Sequence, residues 1–249
     1  MATRELGSDS ADGAGPRGES KTLNNGIRIL KVIAAHPRGL GVTDLARAVG
    51  VHRTVAYRLL GTLERHGLVA QDDDGRYRLG LAVVELSAAA RSDLGSAAHE
   101  ALGRLADSTG ATAVLSQLDG DDVVCCFVVE PGTSQPHVAY RVGLRSPGAD
   151  SEHGLAILSG RPYQDGEAPA VTAGRESGYV AQPEGSDRAP WGLAAPIPRP
   201  SGFSDMSVGL VALEPLPLGQ TAALVIATAA KVGERLALLG PVNRGVGRN

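Results

Sequence analysis

Cysteine is nearly missing from these 249 residues: there are two, Cys125 and Cys126, and they are adjacent. Neighbouring residues of a strand point to opposite faces, so an intrachain bridge between them is disfavoured. A disulfide-stapled secreted domain is thereby excluded, and the cytoplasm is the expected compartment. Long apolar runs are missing too. No stretch approaches the ~20 apolar residues of a spanning helix, which excludes an integral membrane protein. The first twenty residues carry Arg4, Glu5, Asp9 and Asp12 with no apolar core, unlike a secretory leader. Lysine is scarce, three against 21 arginines, as GC-rich coding produces. Catalytic motifs are the last absence. There is no G-x-S-x-G elbow, no P-loop, no G-x-G-x-x-G after a strand and no H-E-x-x-H, so neither an enzyme nor a cofactor is expected.

What is present is a globular composition, 43% apolar and 20% charged, in a length suited to one or two domains with a sizeable core. The net charge of −3 hides an asymmetry. Residues 1–20 hold two basic and four acidic side chains; residues 81–249 hold twelve basic and eighteen acidic. Residues 21–80 between them hold ten basic and five acidic side chains, a net of +5. A small basic segment beside a larger acidic one suggests a polyanion-binding module joined to something that does not touch the polyanion.

Residues 1–20 contain a single leucine besides Met1 and read as a disordered tail. Leu23, Ile27, Leu30 and Ile33/Ala34 then recur at helical spacing until His36-Pro37-Arg38-Gly39. Thr43 is placed to cap a short second helix with Leu45, Ala46 and Val49 inward and Gly50 stopping it. A third helix begins at Arg53 or Thr54 and runs to His66-Gly67, with Val55/Ala56, Leu59/Leu60 and Leu63 as its apolar face. Leu68–Gln71 and Arg76–Leu79 read as strands joined by Asp72-Asp73-Asp74-Gly75, a strong hairpin signal. Helix, helix, tight turn, helix, hairpin is the order of a winged helix-turn-helix. The third helix leaves a face free that carries Arg53, Thr54, Tyr57, Arg58, Gly61, Thr62 and Arg65. Forked Arg donors, a hydroxyl and an aromatic are side chains that contact phosphates and base edges. A merely solvated face is the alternative.

The run "GIRILKVIAAHPRGLGVTDLARAVGVHRTVAYRLLGTLERHGLVAQDDDGRYRLG", residues 26–80, resembles the isocitrate lyase regulator (IclR) family of bacterial transcription factors, almost without gaps. "RLLGTLERHGLV" followed by "GRYRLG" is the specific part. The resemblance implies an α+β chain: an N-terminal winged helix-turn-helix domain over 21–81, a linker helix over 82–93 and a GAF-like α+β effector-binding domain over 94–249. Within the first, the helix-turn-helix falls at about 42–62 and the wing at 68–79. It also implies a homodimer or homotetramer on double-stranded operator DNA, regulating transcription, with repression the expected sign. Where the family reads Pro-Lys-Ser-Thr-Val-His-Arg, this chain reads His52 to Arg58. His52, Arg53, Thr54, Val55, Tyr57 and Arg58, with Arg76 and Arg78 of the wing, are the DNA-contacting residues it implies. The alternative is a ligand-sensing protein that acts through protein partners without operator binding.

Further on, "LAVVELSAAAR" (81–91) reads as the linker helix and residues 95–109 as a separate amphipathic helix. Strands are expected near Thr112–Leu118, Val123–Val129 and His137–Tyr140. "YRVGLRSPGADSEHGLAILSG" (140–160) resembles the family's strand-turn-helix beside the effector. "GYVAQ", "WGLAAPI" and "MSVGLVALEP" resemble its closing strands, and Thr221–Leu239 its last helix. The stretch between Gly160 and Gly178 is shorter than in the family and rich in Pro and Gly. The effector site is expected around Leu144, Arg145, Leu155, Leu158, Trp191, Leu193, Val211 and Leu213. Gly192, Val211 and Leu213 align with positions that bear hydroxyls or a thiol in family members with small oxo-acid effectors. So apolar a lining disfavours a small hydrated acid and suits a larger, partly apolar molecule; the shortened stretch 160–178 leaves no effector at all as the alternative. No metal is expected: Asp150-Ser151-Glu152-His153 reads as a helix N-terminus and Asp119-Gly120-Asp121-Asp122 as a hairpin turn.

Overall fold

The computed structural model describes residues 20–133, 136–183, 190–199 and 204–238; the expected tail, apart from Ser20, lies outside these. The chain is α+β and divides into two units, Met1–Ala90 and Arg91–Asn249. Among the described residues no helix is long and apolar enough to cross a membrane.

The first unit runs α1 (Lys21–Ala34), α2 (Val42–Val49), α3 (Arg53–Arg65), β1 (Val69–Gln71) and β2 (Tyr77–Leu79). Ser20 is the N-cap of α1, its hydroxyl accepting from the Leu23 N–H at 3.4 Å. Two apolar stripes compete on that helix. Ile29 and Ile33 take the core, whereas Leu23 and Ile27 of the helically spaced series are exposed. Gly41 rather than Thr43 sits at the N-cap of α2, with no side-chain cap. Gly50 closes α2 at φ +74°, a left-handed conformation that a side chain would strain, and so permits the abrupt turn into α3. Leu45, Val49, Ala56, Leu60, Val69 and Tyr77 complete the core of this unit. The hairpin pairs Val69 with Leu79 and Gln71 with Tyr77, and Leu40 bridges to Tyr77 on its other side.

The unit boundary falls inside α4 (Ala82–Thr109), a single 28-residue helix where the sequence suggested two. The second unit then runs β3 (Thr112–Asp119), β4 (Asp122–Val129), β5 (Arg145–Pro147), a 3-10 turn (Gly148–Asp150), α5 (Glu152–Ser159), α6 (Pro169–Ser177), β6 (Val180–Ala181), β7 (Trp191–Pro196), β8 (Met206–Ala212) and α7 (Leu218–Leu238). The six strands form one antiparallel sheet in the order β5-β4-β3-β8-β7-β6. Residues 137–140 form no strand, although Thr112 donates to the Val138 carbonyl at 2.6 Å. The Pro/Gly-rich stretch forms α6, with Pro169 opening it and Gly178 closing it at φ +83°.

The period of two along a strand sorts the sheet into two faces. Leu115, Trp191, Leu193, Ala195, Met206, Val208, Leu210 and Ala212 pack with Leu102 and Leu105 of α4 and Val225, Val232 and Leu236 of α7. Val114, Cys125 and Val211 cluster apart from these, with Tyr140 against them. A register shift between Leu115 and Ser116 pairs Ser116 with Cys125 and leaves Cys126 extra on its strand. Cys125 accordingly belongs to one cluster and Cys126 packs against the other; neither forms a disulfide.

Candidate nucleic-acid interface and ligand cavity

The face that α3 turns away from its core is built from the helix start onward. His52 is the N-cap: its Nδ1 accepts from the Thr54 N–H at 3.4 Å and lies 3.1 Å from the Thr54 hydroxyl. One turn on, the Arg53 Nη2 donates to the Tyr57 hydroxyl at 3.2 Å, and the guanidinium carbon stands 5.4 Å from the ring centroid. Such a cation–π pair contributes about 0.5–1 kcal/mol at an exposed site, enough to bias the arginine rotamer. His52, Arg53, Thr54, Val55, Tyr57 and Arg58 are all exposed. Val55 was expected on the apolar face of α3; it is 41% exposed, because Ala56, Leu59 and Leu60 suffice to fill the core side. Among the described residues no carboxylate pairs with Arg53 or Arg58.

The wing is less free. Arg76 and Arg78 share a face, both lying within 3.2 Å of where a side chain on Gly39 would start. The Arg76 guanidinium donates to the Gly39 carbonyl at 3.3 Å, and the Arg78 Nε donates to the Asp72 carboxylate at 3.1 Å. Asp72 also accepts from the Arg76 backbone N–H at 2.9 Å. That backbone bond and the Arg78 guanidinium hold the Asp72 carboxyl below the usual carboxylate range. A carboxylate that caps its own hairpin loop is turned back onto the strand, so Asp72 lies beside Arg78.

In the second unit, a cavity of about 560 Å³ opens between the sheet and the start of α5. Ser116, Val123, Cys125, Gly192 and Val211 line it from the strands, Tyr140 and Leu144 from the segment before β5, and Asp150 to His153 from the turn into α5. Gly192 pairs with Val211 across β7 and β8, which places both on this face. Ser151 caps α5 by accepting from the Gly154 N–H at 3.1 Å, so this stretch is a helix start. Among the described residues no cluster of three His, Cys, Asp or Glu side chains could hold a metal.

His153 is the buried polar centre of the wall. Its Nδ1 lies 2.9 Å from the Ser207 hydroxyl, while its Nε2 is buried without a partner among the described residues. Burial alone pushes the imidazole down to about 4, so the ring is neutral at pH 7. Gly209 makes room for it: a Cβ there would stand 2.8 Å from the His153 Cε1 and 2.5 Å from the Leu193 carbonyl. The Glu152 carboxylate lies over Gly192 in the same way, its Oε2 3.0 Å from where a Cβ would be.

Of the eight residues expected around an effector, this cavity gathers Leu144 and Val211. Trp191 and Leu193 point to the helical face of the sheet, one residue out of phase with Gly192. Trp191 contributes instead to a separate cavity of about 400 Å³ beside α6 and β6. Leu155 packs with Ala156 and Val180, Leu158 is half-buried on α5, and Leu213 is 55% exposed past the end of β8. Arg145 bonds to Asp119 at 2.8 Å and Asp122 at 3.3 Å, clear of the cavity wall. Strand parity, read outward from Gly192 and Val211, was the signal that could have found Ser116 and Cys125. Nothing in the sequence marked His153 as buried or Tyr140 as a wall residue.

Comparison with known proteins bears on both units. Residues 22–73 match the model of the IclR helix-turn-helix domain. The chain is 28% identical over 156 residues to the HTH-type transcriptional regulator TtgV of Pseudomonas putida, covering 61% of this chain and 59% of that one. The chain thus spans about three fifths of the length of the first curated relatives it matches. The fold is that of the IclR transcriptional regulator from Alicyclobacillus acidocaldarius (TM-score 0.76, 24% identity, 88% of this chain and 99% of that one). It is also that of an IclR homologue from Microbacterium hydrocarbonoxydans complexed with 4-hydroxybenzoate (TM-score 0.73, 19% identity, 88% of this chain and 100% of that one).

Proposed function

We propose, from the match of residues 22–73 to the IclR helix-turn-helix domain and the likeness to HTH-type transcriptional regulators, that this chain is a cytoplasmic transcription regulator, a repressor, whose grip on operator DNA is set by a small organic effector. The observation that carries the reading is the exposed face of α3, where Arg53, Thr54, Tyr57 and Arg58 stand free of any carboxylate among the described residues while the opposite face closes a core. Arg53 and Arg58 supply forked donors for guanine edges or phosphates, and Thr54 a hydroxyl at the helix start. Val55 adds an apolar contact of the kind a thymine methyl accepts, and His52 orients Thr54. Arg76 contributes charge from the wing, and Arg78 does so to the extent that Asp72 releases it.

A homodimer, or a dimer of dimers, presents two such helices about a two-fold axis. Its site is then a pseudo-palindrome with half-sites about one helical turn apart. The exposed Leu23, Ile27, Leu81, Val84 and Leu86 supply apolar surface for self-association. The effector occupies the cavity of the second unit and is partly apolar, resting on Val123, Leu144 and Val211; the 4-hydroxybenzoate carried by one relative is of a size such a cavity admits. No turnover of that ligand is part of the reading. Selection of bound duplexes from a random-sequence pool by the full chain tests it. Enrichment of a pseudo-palindrome supports the proposal; recovery of unenriched sequence overturns it.

A further inference from the structure

Arg53 is pinned at both ends. Its backbone opens α3 beside the His52 cap, which accepts from the Thr54 N–H. Its guanidinium, at the far end of a long side chain, stands 5.4 Å from the Tyr57 ring centroid and donates through Nη2 to the Tyr57 hydroxyl at 3.2 Å. The two residues are neighbours on the helix surface at i and i+4. Arg58 is the contrast. It too is exposed, yet among the described residues its guanidinium has no hydrogen bond, no ion pair and no ring beneath it. The packing of the domain does not call for this tyrosine. Tyr57 is 46% exposed and lies outside the core that Ala56, Leu59 and Leu60 close, so its ring and hydroxyl serve Arg53 rather than the fold.

A held arginine and a free one suit different partners. A phosphate accepts a positive charge from many directions, so a free arginine serves it well. A guanine is told from other bases by two acceptors, O6 and N7, which must meet a fork of N–H groups in one plane. A free guanidinium that meets the wrong base swings to a neighbouring phosphate and recovers part of the loss. A held one stays unsatisfied there, and so discriminates more sharply. One N–H of Arg53 is spent on Tyr57, and those that remain still form a fork. Arg53 is also the first residue of α3, and the N-terminal residues of a recognition helix are the ones that reach base edges. We propose that Arg53 and Tyr57 act as one reading unit: Arg53 recognises a guanine in each half-site, Tyr57 is the positioning residue that sets how strictly it does so, and Arg58 holds backbone phosphate. This rests on the chain's being a DNA-binding regulator, and it assigns sequence to one arginine and charge to the other.

Fluorescence anisotropy of the full chain tests it on a duplex selected from a random pool and on copies in which each guanine pair of the half-site is changed in turn to A·T. The wild type should prefer one guanine by roughly ten- to hundredfold, and Arg53→Ala should lose that preference. Tyr57→Ala should cut the same preference by roughly two- to fivefold, the bias that an exposed cation–π pair gives a rotamer, and Tyr57→Phe by less, because the ring remains. In the Arg53→Ala background Tyr57→Ala should cost no further preference, since a positioning residue has nothing left to position. Arg58→Ala should weaken all the duplexes by one factor. Tyr57 lies outside the core, so its variants fold, and an unchanged melting temperature confirms it. A preference indifferent to Tyr57→Ala, a Tyr57 effect that persists without Arg53, or an Arg53→Ala loss equal on every duplex would each overturn the proposal while leaving the regulator reading in place. A wild type that cannot tell the selected duplex from a scrambled one would overturn both.

Discussion

Lowering the pH from 7 to 5 should weaken the second unit by about 2 kcal/mol through His153 alone. The imidazole is fully buried, and burial depresses it from the ordinary 6.5 to about 4. An unfolded chain takes up this proton below pH 6.5, whereas the folded chain does not until about pH 4. The stabilisation is therefore complete above 6.5 and is lost as the pH falls from 6.5 towards 4. At roughly 1.36 kcal/mol per pH unit the whole window is worth about 3 kcal/mol, and pH 5 has consumed about 2 of them. The carboxylates held low in the fold do not interfere. Glu100 is pulled to about 2 by Arg235 and Arg104, and Asp72 and Glu167 are also lowered, so their contributions fade only below the ordinary carboxylate range. Trp191, the one tryptophan of the chain, is buried in the core of this unit and reports its unfolding by fluorescence. Urea titrations at fixed protein concentration should show the loss between pH 7 and 5 in the wild type and a nearly flat response in His153→Gln. Equal losses in both proteins would refute the argument, because the titrating group would then lie elsewhere.

Other consequences concern the basic unit. Arg53→Ala and Arg58→Ala should each weaken operator binding; a lost base contact costs about 1–3 kcal/mol and relaxes specificity, while a lost phosphate contact lowers all duplexes alike, and footprinting separates the two. Asp72→Asn should tighten binding to operator and random DNA together, roughly two- to fivefold, by releasing Arg78 while an Asn oxygen keeps the loop cap; titration at two salt concentrations reads this as a steeper slope. Arg76→Gln with Arg78→Gln should do the reverse, lowering both affinities by similar factors. Val84→Glu puts a charge on a position 63% exposed in the single chain and should shift sedimentation towards monomer, with weaker operator binding as the companion result.

The first unit was legible because its turns are chemically specific. Gly50 and the Asp74-Gly75 pair each demand a left-handed residue where the chain must reverse, and both are glycines with φ near +75°. The helical faces were less so. A helix with apolar residues at 23, 27, 29, 30 and 33 supports two stripes, and packing rather than period decided for Ile29 and Ile33. Arg91-Ser92-Asp93 followed by Gly95 looked like a break, yet α4 runs through it, since polar residues and one glycine lower helix propensity without ending a helix. Pro169 and Gly178 bound α6 in a stretch that the sequence showed only to be short and rich in Pro and Gly. The cavity of the second unit is more polar than the lining expected around an effector. Selecting large apolar residues mixed the two faces of β7 and β8, and it overlooked Ser116, Glu152 and His153, whose place in the wall follows from long-range pairing.

Fluorescence anisotropy of the full chain on a selected duplex and on its scrambled counterpart, each at low and moderate salt, tests the central assignment most directly. The account predicts that the selected duplex binds on the order of a thousandfold more tightly. It also predicts that both affinities fall with salt, by roughly 0.9 in log–log slope for each phosphate neutralised. Equal affinity for the two duplexes, or none for either at low salt, would contradict it.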